Sequence, residues 1–176
     1  MLCRGIRMRT IAAVVMVAAS AVLLAQAPES AKAELKDAMG KTIGQATLTD
    51  SPHGVLVHVA MTGAPEGPHA FHIHTTGKCE GPAFTTAGGH FNPAAKQHGL
   101  HNPMGMHAGD LPNVEVPAGG ALSFDFFAPD VTLKAGANSL MDADGSALVL
   151  HQGMDDYKSD PAGNAGNRIA CGVVTR

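Results

Sequence analysis

The chain has 176 residues, 45% of them hydrophobic, with 21 Gly and 11 Pro, no Trp, one Tyr and a formal net charge of −3. That length supports one domain around a single core once a leader is set aside. The acidic balance and the lack of a basic cluster give a nucleic-acid partner no footing. Long runs of helix formers are missing, so short strands joined by turns are expected.

The first 33 residues stand apart. MLCRGIRMRT carries three Arg and no acid, and IAAVVMVAASAVLLA follows as an uncharged apolar run of 15. Two A-x-A sites then occur, Ala25-Gln26-Ala27 and Ala31-Lys32-Ala33. This pattern reads as a secretory signal peptide, and 15 residues are short for a membrane span. No stable membrane anchor is therefore expected after its removal. Pro28 would follow the scissile bond of the first site, so cleavage is expected after Ala33, leaving a domain of residues 34–176. At that boundary Lys+Arg falls from 12 to 8 and Asp+Glu from 15 to 14, a mature charge of about −6. There is no paired Arg, so the general secretory route and a periplasmic or secreted location are expected. Cys3 leaves with the leader. Cys79 and Cys171 then read as one disulfide closing a long loop, worth about 4–5 kcal/mol in the loop-entropy model. A thiolate metal ligand is the competing use.

Strand-like segments follow in order at KTIGQATLT, GVLVHVAMT, HAFHIH, ALSFDFFA, SALVLH and RIACGVV. Turn chemistry separates them in TDSPHG, TGAPEGP, VPAGG, DADGS and DPAGNAGN. Such spacing suggests an antiparallel sandwich or barrel. Two connections are long, residues 75–112 and 152–167, and each begins at a histidine on a strand end. Long loops in a compact domain are usually functional.

Ten His are present, and six of them form a pattern with Asp110. His72 and His74 leave the same face of a strand. His90, His98, His107 and Asp110 lie in the first long loop, and His151 ends the strand SALVLH. Imidazole is the commonest ligand for zinc and copper, and a carboxylate completes a zinc set. One metal would take His98, His107, Asp110 and one more ligand; a second would take His72, His74, His151 and one more. If His90 supplies both missing ligands, its two ring nitrogens bridge the ions. Four nitrogens suit tetragonal copper, and three nitrogens with a carboxylate suit tetrahedral zinc. No Cys or Met completes either set, which argues against a blue-copper carrier.

The chain resembles the copper/zinc superoxide dismutases, specifically their exported bacterial branch. AFHIH is similar to that family's first signature and GNAGNRIACGVV, residues 163–174, to its second. GGHFNPAAKQHG and HAGDLPN match its zinc loop, with ligand spacings of eight, nine and three. The resemblance implies an eight-stranded antiparallel Greek-key β-barrel, an immunoglobulin-like sandwich, with two long functional loops. It implies one copper on His72, His74, His90 and His151, one zinc on His90, His98, His107 and Asp110, and a disulfide between Cys79 and Cys171. Asp155 falls where the family links a copper-ligand His to a zinc-ligand His through one carboxylate. Arg168 falls where it has a substrate-guiding guanidinium. The implied substrate is superoxide, dismuted to dioxygen and hydrogen peroxide, with His90 and Arg168 catalytic. Family members include monomers and dimers, so a homodimer is among the expected states.

The remaining histidines have blander readings. His69 is out of phase with the pair and reads as a hydrogen-bonded core residue, His58 as structural and His53 as a turn residue. His98-x-x-His101 is a rival chelating pair. Met104, Met106 and Met154 read as gap fillers before copper captors. Arg168 on its own would read as a surface ion pair with Asp156. Ala70 stands where the family often has Gly, Ala162 where the animal enzymes have Thr, and Lys158 is the only Lys of the second loop. A non-enzymatic copper buffer on the same scaffold and a zinc hydrolase are the competing functions. The first would be expected to lose a copper ligand or the Arg, and the second needs a spare base beside an open zinc.

Overall fold

The structure is a computed structural model and describes residues 28–176. The expected apolar leader core therefore lies outside the described residues. Nine strand segments form among them: β1 (Ser30–Asp37), β2 (Thr42–Ser51), β3 (Gly54–Thr62), β4 (Gly67–His69), β5 (Phe71–His74), β6 (Val114–Val116), β7 (Ala121–Ala128), β8 (Ala147–His151) and β9 (Arg168–Val173). Only Ala70 separates β4 from β5, so the two are one interrupted strand and the count agrees with eight. Ala70 sends its N–H to Gly153 and takes the His151 N–H on its carbonyl, tying the break to the second long loop.

All the strand pairs are antiparallel. A seven-stranded sheet in the order β5-β8-β9-β1-β2-β3-β7 curls into a half-barrel, and the two-stranded β4-β6 sheet stands beside it. Alternation explains the curl's inner face. On β3, Val55, Val57, Val59 and Met61 are buried while Leu56, His58, Ala60 and Thr62 are exposed. On β1, Ala31, Ala33 and Leu35 do the same. That strand begins inside the stretch expected to be leader. Ser30 to Ala33 pair with Thr49 to Ala46, and Lys32 exchanges backbone hydrogen bonds of 2.7 and 2.8 Å with Thr175.

β5 and β8 break the alternation because every residue on them is buried. Phe71, Ile73, Leu148 and Leu150 join the barrel core. Their neighbours point to the other face, where Ala147 and Val149 pack with Phe84, Ala87 and Cys171 in a second small cluster. The two long loops cover that face. The Cys79–Cys171 disulfide fastens the first loop to β9, with Cα atoms 5.6 Å apart across 92 residues of sequence.

Candidate metal centre

The covered face of β5 and β8 carries His72, His74 and His151. The first long loop returns against β5 through bridges pairing His72 with Asp110 and His74 with His90. Backbone bonds hold it there: Ile73 N–H to Gly109 O at 3.0 Å, and Phe91 N–H to Ile73 O at 2.8 Å. At Gly109 a Cβ would collide with the Ile73 carbonyl oxygen, so only glycine permits this approach. The strand thus brings two histidines and the loop delivers the rest.

Two sets of four donors result, His72/His74/His90/His151 and His90/His98/His107/Asp110, with the donor atoms of each within 4.8 Å of one another. In the second set Asp110 is held by two amides, Gly99 N–H at 2.9 Å and His107 N–H at 3.0 Å, both on Oδ2. Its Oδ1 is thereby turned to the Nδ1 atoms of His90, His98 and His107 at 2.8, 3.0 and 3.2 Å. In the first set His74 Nε2 lies 3.4 Å from His151 Nε2. Among the described residues two buried side-chain nitrogens have no partner, His72 Nδ1 and His90 Nε2. Leaving a buried polar atom unpaired is costly, and a metal removes the cost by taking the lone pair. His90 therefore faces the carboxylate-containing set with Nδ1 and the all-nitrogen set with Nε2. The donor chemistry fits zinc on one side and copper on the other.

The outward ring nitrogens are also placed. His72 Nε2 donates to Asp155 Oδ2 at 2.9 Å and His98 Nε2 to Asp155 Oδ1 at 3.0 Å, so one carboxylate spans both sets. Such contacts fix ring orientation and leave the opposite nitrogen free to ligate. Asp155 is fixed in turn by Tyr157 N–H on Oδ1 at 2.6 Å and by a reciprocal pair with Asn113, at 2.8 and 2.9 Å. Gly163 adopts φ +63°, and a Cβ there would strike both the Asp155 carboxylate and the His98 ring. His74 Nδ1 donates to Gly88 O at 2.9 Å. Arg168 sits opposite His151 in the β8–β9 ladder, and its guanidinium donates to Phe84 O at 2.6 Å and Gly88 O at 2.5 Å.

Residues 42–174 match the family model for copper/zinc superoxide dismutase. A superoxide dismutase [Cu-Zn] of Aquifex aeolicus is 52% identical over 146 residues, covering 82% of this chain and 85% of that one. The chain belongs to the copper/zinc superoxide dismutase family. Solved structures agree. Cu/Zn superoxide dismutase from Brucella abortus aligns with a TM-score of 0.67 and 31% identity over 82% of this chain and 99% of that one. A SOD-like protein from Bacillus subtilis aligns with a TM-score of 0.78 and 41% identity over 81% of this chain and 96% of that one.

In this superoxide dismutase fold one cleft of about 470 Å³ reaches His74, His90, His107 and His151. Its walls include Arg168, Ala162, Pro161 and Gly166, together with Lys96 and Asp160. Lys158 does not line it, so the cation that joins Arg168 at the mouth comes from the first loop rather than the second. Asp156 makes no ion pair with Arg168: its carboxylate caps the turn at Lys158 and Ser159 and takes Asn164 Nδ2. His101 packs its ring near Tyr157 and belongs to neither donor set. His69 is buried with its ring nitrogens 2.9 Å from His151 O and 3.0 Å from Pro65 O, a hydrogen-bonded core histidine. His58 faces Asp125 across β3 and β7 at 2.8 Å. Among residues near the centre, Asn113, Gly163, Lys96 and Asp160 had no role in the sequence reading, although each lies in a stretch quoted there: HAGDLPN, GNAGNRIACGVV, GGHFNPAAKQHG and DPAGNAGN.

Charge divides the two sides. Burial pushes the His74 ring down to about 2 and the His151 ring down to about 3, with neighbouring imidazoles adding to it. Burial also lowers His90, to about 4, against the opposing pull of Asp110. Burial acts the same way on His98, but the Asp110 and Asp155 carboxylates outweigh it and hold that ring up at about 9. Both carboxylates lie far below the usual range, since the imidazole contacts overcome the burial that would raise them.

Proposed function

We propose that this chain dismutes superoxide to dioxygen and hydrogen peroxide, holding copper on His72, His74, His90 and His151 and zinc on His90, His98, His107 and Asp110. The observation that carries this is His90, whose Nδ1 lies 2.8 Å from Asp110 Oδ1 while its buried Nε2 faces the other set without a partner. Bound copper supplies the one-electron couple that oxidises one superoxide and reduces the next, and bound zinc supplies a fixed charge without redox chemistry. The residues do the rest. His90 borders the cleft, and its Nε2 holds a proton for the peroxide oxygen during the reducing half-cycle, while Nδ1 keeps the ring in place. Arg168, pinned by two carbonyls, orients the diatomic anion beside His151. Asp155 locks His72 and His98 in the tautomers that ligate. Ala162, Pro161 and Gly166 wall the cleft, which admits a small anion and water to that centre.

The protein acts after export, in the periplasm or outside the cell. The disulfide and the bacterial relatives support that location, and the general secretory route accounts for the leader-like composition. β1 bears on the choice of processing site. Cleavage after Ala33 would remove half of β1, including the buried Ala31 and Ala33 and the Lys32–Thr175 pairing. It would also remove the Glu29 carbonyl that takes the Asp50 N–H at 2.8 Å. These contacts favour the earlier A-x-A site, Ala25-Gln26-Ala27, and a mature chain that begins near Pro28.

The test is export in copper- and zinc-supplied cells, followed by metal analysis, mass measurement of the mature chain and an assay of superoxide consumption. One copper and one zinc per chain, with activity lost on copper removal, is the expected result. Full metal loading without dismutation would instead indicate a copper buffer. The complete ligand set and the pinned guanidinium speak against that alternative. A zinc hydrolase lacks its open position, because His90, His98, His107 and Asp110 already supply four donors.

A further inference from the structure

Every outward nitrogen of the ligand rings has a partner within 3.4 Å except one. His72 and His98 use Asp155, His74 uses Gly88 O, His151 uses Gly166 O, and His90 spends both nitrogens between the sets. His107 turns Nδ1 to Asp110, so its Nε2 points outward, and the carboxylate nearest to it is Asp160, with Oδ1 at 3.9 Å. The same Oδ1 already accepts the His98 N–H at 2.6 Å. Asp160 thus touches the backbone of one zinc-side ligand and faces the free ring nitrogen of another.

Its location makes the carboxylate harder to explain otherwise. Asp160 stands in the wall of the cleft, its side chain 55% exposed, where a negative charge works against the entry of an anion. A histidine that ligates through one nitrogen nearly always donates from the other to a carboxylate, carbonyl or water. Closing 3.9 Å to a hydrogen bond needs a shift of about 1 Å, which an exposed aspartate makes by rotation of its side chain.

Resting on the zinc assignment above, we propose that Asp160 is the positioning carboxylate of His107, accepting its Nε2–H when zinc is bound. The centre then has two such carboxylates with different reach. Asp155 joins the copper side to the zinc side, and Asp160 joins the zinc side to the wall of the substrate cleft. Zinc occupancy accordingly sets where residues 160–162 stand.

The test is zinc affinity of the mature, disulfide-bonded chain by competition with a chromophoric chelator, for the wild type, Asp160→Asn, Asp160→Ala and, as a control, Lys158→Ala. Asparagine keeps an oxygen for the His98 N–H but loses the charge that favours the His107 contact. About tenfold weaker zinc binding is expected in both Asp160 variants, with the control at the wild-type value. Cobalt(II) in place of zinc gives an independent reading, since its visible bands should shift in Asp160→Asn. Less than threefold weakening in Asp160→Asn with unshifted cobalt bands overturns the proposal, including the case where Asp160→Ala alone is impaired, because the carboxylate then serves only the His98 amide. A band shift sustains it even if the thermal stability of the metal-free variant also falls. A wild-type chain that takes up no zinc would overturn the zinc assignment as well, so the two failures are separable.

Discussion

The two sides of His90 are built from the same ring chemistry and end up electrically opposite. On the copper side three further imidazoles crowd a buried space without a carboxylate in the donor set, and burial keeps His74 and His151 neutral. On the zinc side one carboxylate oxygen gathers three imidazole nitrogens, and two acids keep His98 protonated while metal is absent. Neutral nitrogens of equal rank suit a tetragonal ion that must accept two charge states, whereas a built-in negative charge suits a permanently divalent one. Affinity order alone would put copper in both, so this contrast is what sorts them.

The most damaging way to break the contrast is to remove the ring both sides share. His90→Ala should bring dismutation to background and lower both metal contents, whereas His101→Ala should leave both at wild-type levels; metal analysis with a superoxide assay decides. Next comes the carboxylate that ties the sides together. Gly163→Ala drives a methyl into Asp155 and His98 and should cost about 2 kcal/mol, roughly a 5 °C fall in Tm by calorimetry. Retention of the wild-type Tm would mean that the loop yields without strain.

Arg168→Ala should leave copper content intact and lower the second-order rate about tenfold to a hundredfold, with Arg168→Lys intermediate. A proton count then sharpens the comparison. Because His98 holds a proton up to about pH 9, zinc uptake at pH 7 should release about one proton from that ring. Copper uptake should release about one from His90, whose neutral ring must give up its remaining N–H to ligate through both nitrogens. Calorimetry in buffers of different ionisation enthalpy counts both, and His90→Ala should abolish the second release. The same shifts shape the metal-free chain. The raised His98 stabilises it fully below its ordinary value of 6.5, and that contribution is lost as pH rises through about 9. The depressed His74, His90 and His151 help above 6.5 and lose that help as pH falls towards 4 and below. Metal-free stability should peak near pH 6.5. The smallest effect belongs to Lys96→Glu, a few-fold slower rate at low salt that fades once the Debye length shrinks to about 3 Å near 1 M.

Much of the centre was legible because its ligands obey local rules. His72 and His74 share a strand face two residues apart, and the loop ligands sit at fixed spacings around Gly-rich turns. β2, β3, β7, β8 and β9 announced themselves by alternation or β-branching. β1 did not, since Ala31 and Ala33 are small enough to pass for a processing site and only their burial against β2 reveals a strand. β6 is three residues long and too short to show a period. Asp160, Lys96 and Gly163 lie in stretches that stood out, yet what each one does was not legible, for a different reason. Their roles depend on contacts made across tens of residues, often to backbone atoms, which leave no composition signal.

The Cys79–Cys171 crosslink grips the same loop whose carbonyls, at Phe84 and Gly88, hold the guanidinium of Arg168 three residues before Cys171. A copy stranded in a reducing cytosol would retain every imidazole yet lose the brace behind its cation. Oxidising surroundings therefore complete the support behind this cation, and a reduced copy would be a poor competitor for the substrate.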